Sequence, residues 1–164
     1  MGDQTLYETD ILAWTEQQAA ALRDLAARRD LPNALDLENV IEEIETLGRN
    51  ELKAATSPIR LILGHLLKAA SDPDAPARTH WFEEILRWHG DMIEAMTPSM
   101  HQRVDVDALW RRALREAASS LTLYGKTLMP GLPKESPLTL GDFLTESFDI
   151  QAALARIHAA AAGN

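Results

Sequence analysis

Cysteine is absent from the 164-residue chain. Its absence excludes disulfides, thiolate metal sites and a cysteine nucleophile, and it fits a reducing compartment. No apolar run approaches the ~18–20 residues that a membrane-spanning helix needs. The opening MGDQTLYETD carries acids before any apolar stretch, so no signal peptide is expected. Leu6 stands where a myristoylation signal after Met-Gly would place Ser or Thr. These absences predict a cytoplasmic protein with no membrane contact. The chain also lacks a glycine-rich phosphate loop, a serine nucleophile elbow, a His-Glu-x-x-His zinc motif and the Glu-x-x-His of di-iron bundles. No cofactor is identifiable from the residues.

What is there is almost wholly helical in character. Ala, Leu, Glu and Arg dominate, β-branched residues are sparse, and no long stretch alternates apolar and polar. The pattern predicts a helix over about 10–29 with Ile11, Trp14, Leu22 and Leu25 inward, capped by Thr9 or Asp10 and stopped by Asp30-Leu-Pro-Asn33. A second helix starts after Asp36, with Leu37, Val40, Ile41, Ile44 and Leu47 at the 3.6-residue period. Its helical character continues beyond Pro58, where a kink or break is expected. Residues 71–78 read as a loop. A third helix over about 79–96 should turn Trp81, Phe82, Ile85, Met92, Ile93 and Met96 inward, and a fourth spans about 105–124. A proline-rich loop follows at 128–137, then a short Thr-capped helix, then a last helix or fraying tail. Four long amphipathic helices with short connections predict a single all-α, bundle-like domain over 1–164.

The charge is uneven. The net charge is −9, and residues 1–57 carry seven of those charges. An acidic chain is repelled by phosphate backbones, which disfavours nucleic-acid binding. Arg111, Arg112 and Arg115 form a basic patch, but three charges make a weak phosphate footprint. The tryptophans lack the basic, aromatic-interleaved groove that binds single strands.

The segment DLENVIEEIETLG, residues 36–48, places five carboxylates within ten residues and no base among them. At 100° per residue, Glu38, Glu42, Glu45 and Arg49 share a stripe of about 60°, opposite the apolar set, with Glu43 apart near its border. Three readings stand. The stripe is a solvated face; or it supplies a divalent metal or acid/base site; or it docks on bases such as Arg103, Arg111, Arg112 and Arg115, within the chain or on a second copy. His89 lies on an apolar face and reads as a hydrogen-bonded core residue.

Several segments together resemble a bacterial family known as domain of unknown function number twenty-nine. They are YETDILAW at 7–14, DLENVIEEIETLGRNE at 36–51, HLLK at 65–68, Trp81 with Ile85, Pro98-Ser99, and Pro-x-Thr-Leu at 137–140. The resemblance spans about 6–144 and leaves 145–164 outside it. It implies a helical domain with no assigned activity, substrate or cofactor. It marks Asp10, Glu42, Glu43, Glu45, Arg49, His65 and Lys68 as polar residues of the family pattern. Two functions follow as expectations. One is a non-catalytic module that binds a protein partner or itself. The other is an enzyme with Glu42, Glu45 and His65 as candidate metal ligands or acid/base groups, and Asp10 or Lys68 nearby.

Overall fold

The helices begin where side-chain oxygens can take the free N–H groups of a first turn. The structure, a computed structural model, describes residues 5–28, 31–32 and 34–163. Helix α1 (Leu6–Thr9) follows Thr5, whose N–H donates to Glu8 Oε2 at 2.8 Å. Asp10 caps α2 (Ile11–Ala26) by accepting from Ala13 N. Asp36 does the same for α3 (Leu37–Ser71) through Asn39 N. Helix α4 covers Arg78–Ala95, and a 3-10 segment covers Pro98–Arg103. Asp105 caps α5 (Val106–Thr122), Thr139 precedes the short α6 (Leu140–Phe143), and Asp149 caps α7 (Ile150–Ala162). The chain is all-α, with no strand among the described residues. Part of the predicted stop of α2, Asp30 and Asn33, lies outside the described residues, as do Met1–Gln4 and Arg29.

Helix α3 is unbroken through Pro58. Pro58 removes one backbone donor, but the helix carries 35 residues of otherwise strong helical sequence. The break expected before Pro58 is therefore absent.

The chain divides into two compact units: Met1–Ala55 with Ala95–Arg103, and Thr56–Glu94 with Val104–Asn164. No linker marks the division, because it falls inside α3.

In the first unit, Leu12, Ala55 and Met100 form a small buried core, with Ile11, Leu52, Ala95 and Met96 packed on it. The buried residues of α2 are Leu12, Thr15 and Ala19, whereas Ile11, Trp14, Leu22 and Leu25 are half-buried. Helix α3 meets α2 at Gly48, where a Cβ would collide with Thr15 Oγ1. That contact fixes the rotation of α3. The buried sector runs through Leu37, Gly48 and Ala55, and it leaves Val40 and Leu47 exposed at 39% and 38%. The predicted inward face is thus displaced by about half a helix quadrant toward Glu45.

In the second unit, Ile59, Ile62, Leu63, Leu66 and Leu67 of α3 are fully buried, along with Ile85, Met92, Trp110, Phe143 and Ile157. Ile93, expected inward, is 39% exposed. Trp110 donates its indole N–H to Pro133 O at 2.9 Å, tying the proline-rich loop to α5. His89 is buried and donates Nε2–H to Phe143 O at 2.9 Å, which agrees with its reading as a core histidine. Gly131 has φ +79° and abuts the carbonyl of Ala161, a place only glycine fits. The predicted last helix or fraying tail is a true helix over Ile150–Ala162: α7 buries Ala153, Leu154, Ile157 and Ala161.

Candidate functional site

Within the second unit, α3 and α4 are joined by the short stretch 72–77. His65 pairs with Glu84 and Lys68 with Trp81, so positions advance on one helix as they retreat on the other. This is the register of an antiparallel helical hairpin. His65 and Lys68 stand at i and i+3 on α3, and Trp81, Glu84 and Trp88 at i, i+3 and i+7 on α4, so each set shares one helix face.

Glu84 is the hub. His65 Nε2–H donates to Glu84 Oε2 at 2.6 Å. His80 Nε2 lies 3.7 Å from the same oxygen, and Arg87 Nη2 lies 3.7 Å from Oε1. The hydrogen bond from His65 holds the Glu84 carboxyl below its usual pKa, against an opposing push from burial. Burial pushes His65 below its ordinary value, and Glu84 offsets this only partly. The resting pair near neutral pH is therefore a neutral imidazole donating to a carboxylate. With Nε2–H committed, Nδ1 is the basic ring atom. The rings of Trp88 and Trp81 flank His65, with centroids 4.7 and 6.1 Å away. Lys68 Nζ lies 4.8 Å from the Trp81 ring centroid, and burial lowers its pKa.

Two cavities open on this cluster. One, of about 160 Å³, is lined by Arg60, Gly64, His65, Lys68, Glu116 and Ser120, among others. The other, of about 450 Å³, adjoins it through Lys68 and Ser120 and is walled by Trp81, Leu121, Tyr124 and Ala75–Ala77. The second is the size of a small-molecule site. Arg60 and Arg112 both pair with Glu116 at the margin of the smaller cavity.

The other family-pattern residues belong to the first unit. Asp10 is buried and accepts four hydrogen bonds: from Ala13 N, Thr97 Oγ1, Ser99 N and Ser99 Oγ. Glu45 pairs with Arg23, a base of α2 that sequence reasoning did not weigh. Arg49 donates to Thr46 Oγ1 at 2.6 Å. Arg103 pairs with Glu16. Glu45, Arg49, Arg23 and Arg103 line a cleft of about 300 Å³ over Leu12, Ala19 and Leu52. Glu42 and Glu43 are exposed.

Glu42 and Glu45 belong to the first unit and His65 to the second. Among the described residues no group of three or more His, Asp or Glu side chains could hold a metal ion. His65 meets instead Glu84, to which the sequence assigned no role. The i, i+4 spacing of His80 and Glu84 was the available signal, but nothing local joins Glu84 to His65. Trp81, expected inward, and Trp88 are half-buried walls of this site, whereas Trp110 is a core residue.

The family model described as "Domain of unknown function DUF29" matches residues 6–149. The chain belongs to this family. The DUF29 match ends just before α7 begins. A solved structure described as an alpha-helical protein of unknown function from Rhodospirillum rubrum is 42% identical. The match covers 94% of this DUF29 chain and 99% of that one, with a TM-score of 0.84. No curated protein matches. No helix among the described residues is long and apolar enough to cross a membrane.

Proposed function

We propose that the second unit binds a small organic molecule at the α3–α4 site, with His65 and Glu84 as its acid–base pair. The observation that carries this reading is the 2.6 Å His65–Glu84 hydrogen bond beside two adjoining cavities. A carboxylate that fixes one imidazole nitrogen leaves the other as a base, the arrangement that general acid–base chemistry uses. This is the enzyme reading of the sequence with its residues redistributed: His65 and Lys68 stay, and Glu84 replaces Glu42 and Glu45. The cysteine-free, acidic sequence supports a cytoplasmic setting. The test is a fragment screen followed by amide chemical shifts of the ¹⁵N-labelled protein. Bound fragments should move the signals of His65, Lys68, Trp81 and Ser120. A diverse library that moves none of them would overturn the reading.

One observation favours the second reading, an interaction module. Val40 and Leu47 lie seven residues apart on α3 and are exposed, with Leu35 nearby at 44% exposure. Apolar residues at that spacing present one stripe to a partner helix. Light scattering of the wild type and of the Val40→Glu, Leu47→Glu double variant tests self-association. A wild-type dimer that the variant dissociates supports it, and a monomer at all concentrations removes it.

A further inference from the structure

We infer that the larger cavity of the second unit is built for a small organic acid, its carboxylate seated on the Lys68 ammonium and its apolar body against Trp81 and Leu121. The inference rests on the proposed site and names its ligand class.

The first observation is a half-buried cation at the junction of the two cavities. Lys68 lines both cavities, and its ammonium carries three donors. Among the described residues no hydrogen bond or ion pair reaches Nζ; its contact is the face of Trp81. Glu84 attracts the ammonium through its charge without a hydrogen bond to it. Glu84 Oε2 receives His65, and Asp72 faces Lys126 at 3.4 Å. Half-burial of the cation is costly, and the ring face and the Glu84 charge offset only part of that cost. A ligand carboxylate would supply the rest through charge-assisted hydrogen bonds.

The second observation is the wall. Trp81, Leu121, Pro76 and Ala77 give the cavity a mainly apolar lining, suited to a ring or short alkyl chain. The third is the charge of the lining. Asp72, Asp74 and Lys126 also border the cavity, and Asp72 faces Lys126. Asp74 then acts against ligands with high negative charge, so a monocarboxylate fits better than a phosphate ester or a dicarboxylate.

Titration of the ¹⁵N-labelled full chain tests this. The probes are phenylacetate, indole-3-acetate and hexanoate, each beside its neutral amide. The acids should bind about tenfold tighter than their amides or more, as one charge-assisted hydrogen bond implies. They should move the amides of Lys68 and Ser120 and the Trp81 indole signal. Lys68→Met should erase the preference for acid over amide, and Lys68→Arg should retain it. Because Lys68→Met could alter folding, its melting temperature is measured alongside, and the acid–amide ratio in the wild type stands as an independent readout. Equal binding of acids and amides at these residues would overturn the ligand class and leave the proposed site intact. No binding by any acid, with fragments of other chemistry bound there, would also overturn the class. No fragment of any kind at the site would overturn both.

Discussion

The Asp10 carboxylate accepts both the backbone N–H and the hydroxyl of Ser99, at 2.8 and 2.6 Å. Ser99 lies in the first turn of the 3-10 segment, and the same carboxylate caps α2 through Ala13 N. One side chain therefore closes the starts of two helical segments that are almost ninety residues apart in sequence. This explains why the Asp of YETDILAW and the Pro-Ser pair belong to one pattern. Loss of the Asp10 carboxylate would orphan both Ser99 donors, and loss of the Ser99 hydroxyl would remove one of the four hydrogen bonds on Asp10.

Removing that carboxylate should be costly and pH-dependent. Burial pushes the Asp10 pKa up, but the donors on Ser99, Ala13 and Thr97 outweigh it and leave the pKa below its usual value. A depressed acid contributes stability above its unfolded pKa of ~3.9, and the contribution is lost as pH falls through the folded value. Asp10→Ala should lose about 1–3 kcal/mol at pH 7, since it orphans buried donors and removes a cap. Urea denaturation across pH checks this. The gap between wild type and variant should narrow below about pH 4; a gap independent of pH would contradict the role.

Glycines on α3 and α4 make a controlled comparison. Gly48→Ala should destabilise the protein by about 1–3 kcal/mol through overpacking against Thr15, despite alanine's better helix propensity. Gly64 and Gly90 have nothing within 4 Å of an added Cβ. Gly64→Ala and Gly90→Ala should stabilise by about 0.5–1 kcal/mol. Thermal melts of the three variants settle the sign, and a stabilising Gly48→Ala would disprove the close approach of α2 and α3.

The same glycine shows what could be read in advance and what could not. The four long helices and most of their caps were legible, because periodicity and Asp or Thr before an apolar run are local signals; α1 was not. The rotation of α3 was not. Hydrophobic periodicity points to a face centred on the apolar residues, whereas contact with Thr15 selects the face with the smallest residue, Gly48. That choice exposes Val40 and Leu47 and brings Glu45 to Arg23. The site was half legible. His65 and Lys68 carried the family pattern, but Glu84 comes to His65 only through the α3–α4 hairpin. At Pro58 a kink or a break is expected; the break is absent because a proline's local cost is small beside a helix of this length with its C-terminal half in the core.

The His65–Glu84 pair makes a prediction in which the sign is decisive. Burial holds His65 below its usual pKa, and Glu84 raises it part of the way back. Glu84→Gln should therefore drive the His65 pKa lower still, as followed by the imidazole Cε1–H proton shift against pH. A rise would show that Glu84 does not interact with the imidazolium. Both folded pKa values are depressed, so both groups withdraw stability on acidification: His65 from about pH 6.5 downward and Glu84 from about pH 4.3 downward.

The last helix decides whether the family-matching region is self-sufficient. The DUF29 match stops at residue 149, yet Ile157 of α7 is fully buried and Leu154 and Ala153 nearly so. An exposed tail would tolerate alanine at 157 without effect. A core helix would not: Ile157→Ala should cost about 2–5 kcal/mol through lost burial and the cavity it leaves. His158→Ala, at the adjacent exposed position with its ring bonded to Leu154 O, should cost much less. Denaturant midpoints of the two variants separate the cases. If Ile157→Ala were as mild as His158→Ala, α7 would be an appendage and the core of the second unit would end with α6. The much larger loss expected at Ile157 would make α7 part of the minimum fold, so that a chain cut at the family boundary would lack a wall of its own core.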